Sequence, residues 1–244
     1  MTYCVAMRLD AGLVFLSDSR TNAGVDHINT FRKMTVFERP GERVLVLMTA
    51  GNLSISQSVV NLLRERLQSP DEENLHTLPN LFEVARHIGT VVREVHQRDA
   101  AALGEFGIDF NAAIVVGGQI AGEAPRLFNI YAAGNFIEAT DETPYFQIGE
   151  SKYGKPIVDR VVTRRSSLEE GAKCALISMD STIRSNLSVG LPLDLLTYAS
   201  DTFRVREHVS IGHNDAYFNE IRRQWGERLR QSFSELPDPD WTKF

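Results

Sequence analysis

The chain contains little cysteine, shows no excess of basic residues and has no long apolar run. Cys4 and Cys174 are its two cysteines among 244 residues. Both lie in apolar surroundings, which predicts reduced core thiols and neither a disulfide nor a metal site. The formal net charge of -6 does not favour a nucleic-acid partner or an anionic membrane.

No apolar run reaches the length of about 20 residues with which a helix crosses a bilayer. The first residues also lack the basic and apolar regions of a signal peptide, so we expect a cytoplasmic protein without a membrane partner. A content of 43% hydrophobic and 24% charged residues fits one domain over residues 1–244 with a sizeable core. Residues 237–244 are expected to form an extended, flexible tail, with docking of Trp241 on a neighbouring molecule as the alternative.

The groups needed for nucleophilic catalysis lie within the first 33 positions. Thr2 follows Met1, and removal of Met1 gives Thr2 a free α-amine that titrates at about pH 8 beside its nucleophilic hydroxyl. Two β-rich runs flank the turn Asp10-Ala11-Gly12, which predicts a hairpin. Such a hairpin returns Asp18 to the neighbourhood of Thr2.

Lys33 opens the next β-rich run and is predicted to reach the same place. A buried ammonium there would stabilise the ionised Thr2 oxygen and keep the amine unprotonated, while Asp18 would pair with Lys33 and orient it. Taken singly, an ordinary turn Asp and a solvated surface Lys are the alternative for these residues.

A fourth motif, Thr49-Ala50-Gly51-Asn52, separates a predicted strand at Arg43–Met48 from a helical pattern that starts near Leu53. A backbone N–H at such a strand-to-helix turn is a rigid donor for a developing oxyanion. Together with the three residues above, this motif resembles the proteasome-type β-subunits of the N-terminal-nucleophile hydrolases.

The resemblance extends over essentially the whole chain. The segments Ser17-Asp18-Ser19-Arg20-Thr21-Asn22-Ala23-Gly24, Phe31-Arg32-Lys33-Met34 and Thr49-Ala50-Gly51-Asn52 are most similar to a bacterial, proteasome-related branch of that family. One spacing differs, because Lys33 lies 31 residues after Thr2, one fewer than in proteasomal β-subunits. The loop between Arg20 and Thr30 is expected to absorb the difference.

This resemblance implies an α+β fold of the N-terminal-nucleophile type, a four-layer αββα sandwich. It assigns the oxyanion-hole N–H to Gly51. It also implies self-assembly of identical chains into a ring or spiral that encloses the sites, a peptide or protein substrate, and room for an unfoldase or delivery partner. This chemistry requires no metal and no organic cofactor.

The rest of the pattern agrees with two stacked sheets that carry helices on their outer faces. Helices are predicted at Leu53–Leu67, Leu81–Val95 and Leu168–Asn186. Strands are predicted at Asn111–Gly118, Arg126–Ala133, Phe136–Ala139 and Pro144–Ile148, which form the second sheet, and at Leu193–Ala199 and Phe203–Ile211. The polar stretch Gln68–Asn80 is predicted to be a surface linker. His87 and His96 lie on opposite sides of their helix, so they cannot share a metal.

The segment from Gly149 to Pro156 allows two functional interpretations. It matches the first part of a phosphate-binding loop, but Pro156 replaces the magnesium-binding Ser or Thr and lacks an amide for phosphate. The competing interpretation is a proteasome-like Gly-x-Ser turn before a third helix, in which Ser151 lies near the Thr2 amine and relays its proton. A helix cap by Ser151 is the plain structural alternative.

The end of the helix at Leu168–Asn186 resembles a supporting region of the family in two possible ways. In one, Ser188 matches a family serine and Ser185 replaces an aspartate. In the other, Asp180 and Asn186 match the Asp and Asn of a related bacterial peptidase. The sequence leaves both open.

A stripe of large apolar residues recurs every four positions near the end of the chain and predicts an amphipathic closing helix. It comprises Tyr217, Ile221, Trp225, Leu229 and Phe233. We expect it to pack in the core, with subunit contact as the alternative. The arginines around it, Arg222, Arg223, Arg228 and Arg230, fit a solvated or intersubunit face better than a nucleic-acid patch.

The sequence therefore predicts a threonine hydrolase that cleaves amide bonds through an acyl-enzyme on Thr2, supported by Asp18, Lys33, Gly51 and Ser151. A non-catalytic assembly protein and an amidase of narrow specificity are the alternatives. A nucleotide-binding enzyme depends on the incomplete phosphate loop alone.

Overall fold

Two five-stranded antiparallel sheets face each other in the part of the chain that the computed structural model describes, residues 2–23, 27–69 and 73–243. The strands are β1 (Tyr3–Leu9), β2 (Gly12–Asp18), β3 (Arg20–Ala23), β4 (His27–Thr30), β5 (Met34–Arg39), β6 (Arg43–Gly51), β7 (Ala112–Ile120), β8 (Arg126–Ile130), β9 (Phe136–Glu138), β10 (Tyr145–Gly149), β11 (Leu193–Ala199) and β12 (Glu207–Ile211). The helices are α1 (Leu53–Arg66), α2 (Leu81–Glu105), α3 (Lys155–Val161), α4 (Leu168–Ser185) and α5 (Ala216–Glu235).

The first sheet has the strand order β10-β1-β2-β11-β12, and the second has the order β5-β6-β7-β8-β9. Side chains such as Phe15 of β2 and Met48 of β6 form the core between the sheets. Helices α1 and α2 cover the outer face of the second sheet, while α3, α4 and the start of α5 cover the first. The expected four-layer αββα sandwich is confirmed.

The predicted hairpin between β1 and β2 is present, and it brings Cys4 opposite Ser17. Both strands are buried along nearly their whole length because the second sheet covers one face and α4 covers the other. Strands covered on both faces read as continuous apolar runs rather than as an alternating pattern.

One strand belongs to a different sheet from the one predicted. The sequence pattern predicts that Pro144–Ile148 joins the second sheet, but β10 pairs with β1 and so forms the edge of the first sheet. The remaining places in the second sheet are filled by β5 and β6. Strand β5 pairs with β6, and β6 pairs with β7. The last predicted strand is also shorter than expected, since β12 begins at Glu207.

The prediction of a polar surface linker at Gln68–Asn80 is wrong in part. Leu75 and Leu78 are buried in the core under α2, and the Arg43 guanidinium donates hydrogen bonds to both of their carbonyl oxygens, at 3.0 and 2.9 Å. Residues 70–72 of this stretch lie outside the described residues. Helix α2 continues ten residues beyond the predicted end at Val95, to Glu105.

Within the apolar stripe of the closing helix, Ile221 packs against the core of this chain, but both ends of the stripe are exposed. Tyr217 is 56% exposed and Phe233 is 79% exposed, whereas Phe218, one position outside the stripe, is fully buried. The core interpretation is therefore wrong for most of α5, because only the start of α5 packs on the sheet and α4. In the tail, Trp241–Lys243 forms one 3-10 turn, and Trp241 is 80% exposed.

Candidate active site

Thr2 lies at the start of β1 and is held by the strand beside it. Its carbonyl oxygen accepts a hydrogen bond from the backbone N–H of Glu150 at 2.7 Å. Gly149, the last residue of β10, has a φ of +82°, and a Cβ at this position would collide with the Thr2 carbonyl. The close approach of the two backbones therefore requires glycine at this position. The Thr2 residue is 8% exposed.

Asp18 lies at the end of β2, next to the start of β1, as the hairpin predicted. Its Oδ1 accepts a hydrogen bond from the backbone N–H of Tyr3 at 3.0 Å. The same oxygen accepts from Nζ of Lys33 at 2.7 Å. Burial raises the pKa of the Asp18 carboxyl, while the Lys33 ammonium and the backbone N–H groups of Tyr3 and Gly190 oppose that shift.

Lys33 is fixed from three sides, although its spacing from Thr2 is one residue shorter than in proteasomal β-subunits. Its Nζ donates to Asp18 and also to the carbonyl oxygen of Arg20 at 2.7 Å. Its own carbonyl accepts from the backbone N–H of Thr49 at 3.0 Å. Only 6% of the Lys33 side chain is exposed. The shorter spacing therefore leaves the contact between Lys33 and Asp18 intact.

One cavity of about 240 Å³ brings together Thr2, Lys33 and Gly51. Its other lining residues are Thr21, Thr49, Ala50, Asn52, Leu53 and Ser56. Strand β6 continues to Gly51, which has a φ of +105° and approaches the carbonyl of Asn111 so closely that a Cβ would collide with it. Asn52 then caps α1, since its side-chain oxygen accepts from the backbone N–H of Ser54 at 2.9 Å.

The site thus combines a threonine at the start of a strand, a buried Asp–Lys pair and a glycine turn. The family model for proteasome subunits matches residues 2–190 of the chain. The chain belongs to the proteasome subunit family. Solved structures of Anbu proteins, a branch of this family, align with nearly the whole of this chain. Anbu (ancestral beta-subunit) from Yersinia bercovieri is 55% identical over 98% of this chain and 99% of its own, with a TM-score of 0.93.

Two further structures are similar. A helical assembly of the Anbu complex from Pseudomonas aeruginosa contains a chain 53% identical to this one, with 98% of each chain covered and a TM-score of 0.93. Anbu from Hyphomicrobium sp. strain MC1 is 50% identical over 98% of this chain and 100% of its own, with a TM-score of 0.91. The expected similarity to a bacterial, proteasome-related branch is confirmed. A comparison with curated protein sequences finds no match.

Ser151 lies near the Thr2 backbone but does not line the cavity that holds Thr2. It begins a 3-10 turn, Ser151–Tyr153, immediately after Glu150, whose N–H contacts Thr2. The phosphate-loop alternative gains no support, because Lys155 is already the first residue of α3 and its ammonium pairs with the Asp159 carboxylate at 2.8 Å. The role of Ser151 in proton transfer stays a prediction.

The side chain of Asp180 contacts α5 and not the cavity. Its carboxylate accepts from Nε of Arg222 at 2.6 Å and from Nε of Arg184 at 2.9 Å. The contact with Arg222 fastens α5 to α4, and the contact with Arg184 lies within α4. The structure thus gives Asp180 a local partner and no contact with Thr2, Asp18 or Lys33.

The loop after α4 instead supports the site through its backbone. Nη1 of Arg20 donates to the carbonyl of Leu187 at 2.9 Å, and the hydroxyl of Ser19 donates to the carbonyl of Pro192 at 2.6 Å. Within the loop, the backbone N–H of Ser188 donates to the Asn186 side chain at 2.9 Å. The loop that carries Ser188 and Asn186 is therefore fixed against the strand end that carries Asp18.

Sequence reasoning missed two side chains of the cavity, Thr21 and Ser56. Ser56 is 5% exposed, and its hydroxyl donates to the carbonyl of Asn52 at 3.0 Å. Its spacing in the sequence could have indicated this place, because a residue four positions after the cap residue Asn52 lies on the same side of the helix as the cap.

Among the described residues, no three His, Cys, Asp or Glu side chains are grouped as a metal site requires. None of the described helices is both long and apolar enough to span a membrane.

Proposed function

We propose that this protein is an N-terminal threonine hydrolase that cleaves amide bonds of peptides. The observation that carries the proposal is the buried pair of Lys33 and Asp18, 2.7 Å apart, beside the cavity that Thr2 and Gly51 line. Placing a buried ammonium beside a hydroxyl nucleophile is a way of stabilising the ionised hydroxyl. Met1 lies outside the described residues, and the proposal requires its removal.

The reaction proceeds through an ester on Thr2. The Thr2 α-amine, acting through a water molecule, removes the hydroxyl proton as Oγ attacks the carbonyl carbon of the scissile amide. The resulting oxyanion is stabilised by the backbone N–H of Gly51. Collapse of the tetrahedral intermediate breaks the C–N bond, and the leaving amine takes the proton that the α-amine had accepted. Water then attacks the ester by the same route and regenerates Thr2.

Lys33 and Asp18 supply electrostatics and do not take part in bond exchange. The Lys33 ammonium disfavours protonation of the nearby α-amine and favours a negative Oγ. Asp18 holds that ammonium in place, and its hydrogen bond from Tyr3 N–H ties the pair to β1, which Thr2 directly precedes. Ser151 is proposed to assist transfer of the amine proton from its turn beside Glu150.

Intact-mass measurement on protein made in a bacterial host, followed by labelling with an electrophile directed at hydroxyl nucleophiles, tests this function. We expect loss of one Met and a single label on Thr2. The Thr2→Ala variant should lose the label, and Thr2→Ser, which keeps a hydroxyl, should retain it. Retention of Met1, or a label that persists in Thr2→Ala, would contradict the mechanism and favour a non-catalytic assembly protein.

We further propose that identical subunits assemble through α5. The related Pseudomonas aeruginosa Anbu forms a helical assembly. In this chain the exposed apolar side chains of α5 and the residue after it, Tyr217, Leu229, Phe233 and Leu236, are 49 to 79% exposed. A row of exposed apolar side chains on one helix is typical of a surface that another protein covers. An open spiral and a closed ring are the two arrangements that such an interface allows.

A further inference from the structure

A second cavity adjoins the one that contains Thr2. It has a volume of about 360 Å³ and shares four residues with the Thr2 cavity: Lys33, Thr49, Leu53 and Ser56. Its remaining lining residues are Arg32, Met34, Thr35, Gln57, Val60, Asn61 and Arg64. The shared residues make the second cavity the immediate neighbour of the cavity that Thr2 lines.

The second cavity carries an excess of positive charge. No Asp or Glu among the described residues lines either cavity, although the formal net charge of the whole chain is -6. The charge of Lys33 is already balanced by Asp18, which lies behind it. Arg32 and Arg64 therefore supply the uncompensated positive charge.

Unlike the arginines near them, these two have no ionic partner among the residues that the structure describes. Arg66, two residues after Arg64, pairs with Glu94, and Arg39 at the end of β5 pairs with Glu42 at 3.2 Å. In the part of the chain that the structure describes, no hydrogen bond or ion pair occupies the guanidinium of Arg32 or Arg64. Both donor sets are thus available to an anionic ligand.

We propose that this second cavity binds the side chain of a glutamate or aspartate next to the scissile bond. The guanidinium groups of Arg32 and Arg64 would contact the carboxylate, because their planar donor pairs match its two oxygens. The amides of Gln57 and Asn61 lie on the same wall and provide further donors. Cleavage next to an acidic residue rests on the proposed function of Thr2, whereas the preference for binding an acidic side chain does not.

The test measures binding to the Thr2→Ala variant by calorimetry, so that cleavage is not required. The two probes are acetyl-Ala-Ala-Glu amide and acetyl-Ala-Ala-Gln amide, which differ in the charge of one side chain. We expect the glutamyl peptide to bind about tenfold more tightly at low salt. Hydrogen bonds to charged groups stabilise a complex more than neutral ones do, and the difference corresponds to roughly a tenfold change in affinity. The difference should shrink as added salt screens the exposed guanidinium groups. Equal affinities, or no binding of the glutamyl peptide, would overturn the proposal.

Arginine variants then identify the groups responsible. Replacing both arginines in Arg32→Gln/Arg64→Gln should remove the preference for the glutamyl peptide and leave affinity for the glutaminyl peptide nearly unchanged. The matched control is Arg165→Gln, an exposed arginine at the far end of β1 from Thr2, which should retain the preference. A preference that survives the double replacement would contradict the assignment.

Labelling of Thr2 in the otherwise unchanged protein separates this inference from the proposed function. A label on Thr2 together with equal peptide affinities would refute the acidic specificity alone. A glutamyl preference without any label on Thr2 would refute the hydrolase and leave the anion site standing.

Discussion

The ammonium of Lys33 lies 2.7 Å from Oδ1 of Asp18, and the two side chains are only 6% and 0% exposed. Each charge has lost nearly all of its water and is compensated by the other and by backbone groups. Breaking such a pair costs more than the pair contributes, because the remaining charge is left buried without a partner. The pair therefore couples the stability of the subunit to the geometry of its candidate site.

Replacing either member of the pair should destabilise the protein strongly. We expect Lys33→Met and Asp18→Asn each to lower the free energy of unfolding by about 3–5 kcal/mol, because each leaves one group of the pair without its partner. The double variant should lose less than the sum, since neither unpaired charge remains. Urea denaturation of the four proteins measures the coupling. Strictly additive losses would show that the two side chains do not stabilise each other.

Much of the site was predictable because its determinants are local. The Asp10-Ala11-Gly12 turn fixes the β1–β2 hairpin, and the hairpin alone brings Asp18 to Thr2. The Gly51 turn was also recognisable from the strand before it and the helix after it. By contrast, the Arg20 carbonyl that accepts from Lys33 is a backbone group, and a backbone acceptor has no signature in the sequence.

The errors concern non-local choices. The pattern of Pro144–Ile148 predicts a strand but does not indicate which sheet it joins, because β1 lies more than 130 residues earlier in the chain. The stripe on α5 predicts an apolar face but is the same whether its partner is the chain's own core or another molecule. The predicted strand at Phe203–Ile211 begins only at Glu207, and at Phe203 a positive φ interrupts the extended backbone.

Acidification should destabilise the fold partly through His87. Burial, followed by the positive charge of Arg66, lowers the pKa of His87, and its Nε2 has no hydrogen-bond partner among the described residues. The unfolded chain then binds more protons than the folded chain as the pH falls below about 6.5. The contribution of neutral His87 to the stability of the fold is therefore present at neutral pH and is lost on acidification.

Thermal unfolding at pH 7 and pH 5 measures this effect. We expect His87→Gln to reduce the loss of Tm on acidification without abolishing it, because burial also lowers the pKa of His76. His213→Gln, at an exposed histidine, is the control and should leave the loss as it is. An unchanged pH dependence in His87→Gln would show that this imidazole is not responsible.

The exposed stripe of α5 should control assembly rather than the stability of the subunit. Leu229 and Phe233 are 49% and 79% exposed, so replacing both with Gln, a good helix former, should change the unfolding free energy by less than about 1 kcal/mol. Sedimentation velocity should nevertheless show smaller species. Arg228→Gln changes an exposed polar side chain of the same helix and should preserve the assembly. An assembly of unchanged size in the Leu229→Gln/Phe233→Gln variant would contradict the proposed interface.

Gly149 should be essential for the position of Thr2, and Gly41 provides a matched control for the cost of its backbone angle. The two glycines have φ values of +82° and +80°, but a Cβ on Gly149 would collide with the Thr2 carbonyl, whereas a Cβ on Gly41 would meet nothing within 4 Å. Gly41→Ala should therefore lower the free energy of unfolding only by the roughly 1–2 kcal/mol of a left-handed alanine.

Gly149→Ala should lower the free energy of unfolding further, as measured by urea denaturation. It should also slow labelling of Thr2 at least about tenfold, because displacing a nucleophile by 1 Å lowers the reaction rate by that order or more. Equal stability losses in the two variants, together with unimpaired labelling of Gly149→Ala, would show that Thr2 is positioned by contacts other than the close approach of β10.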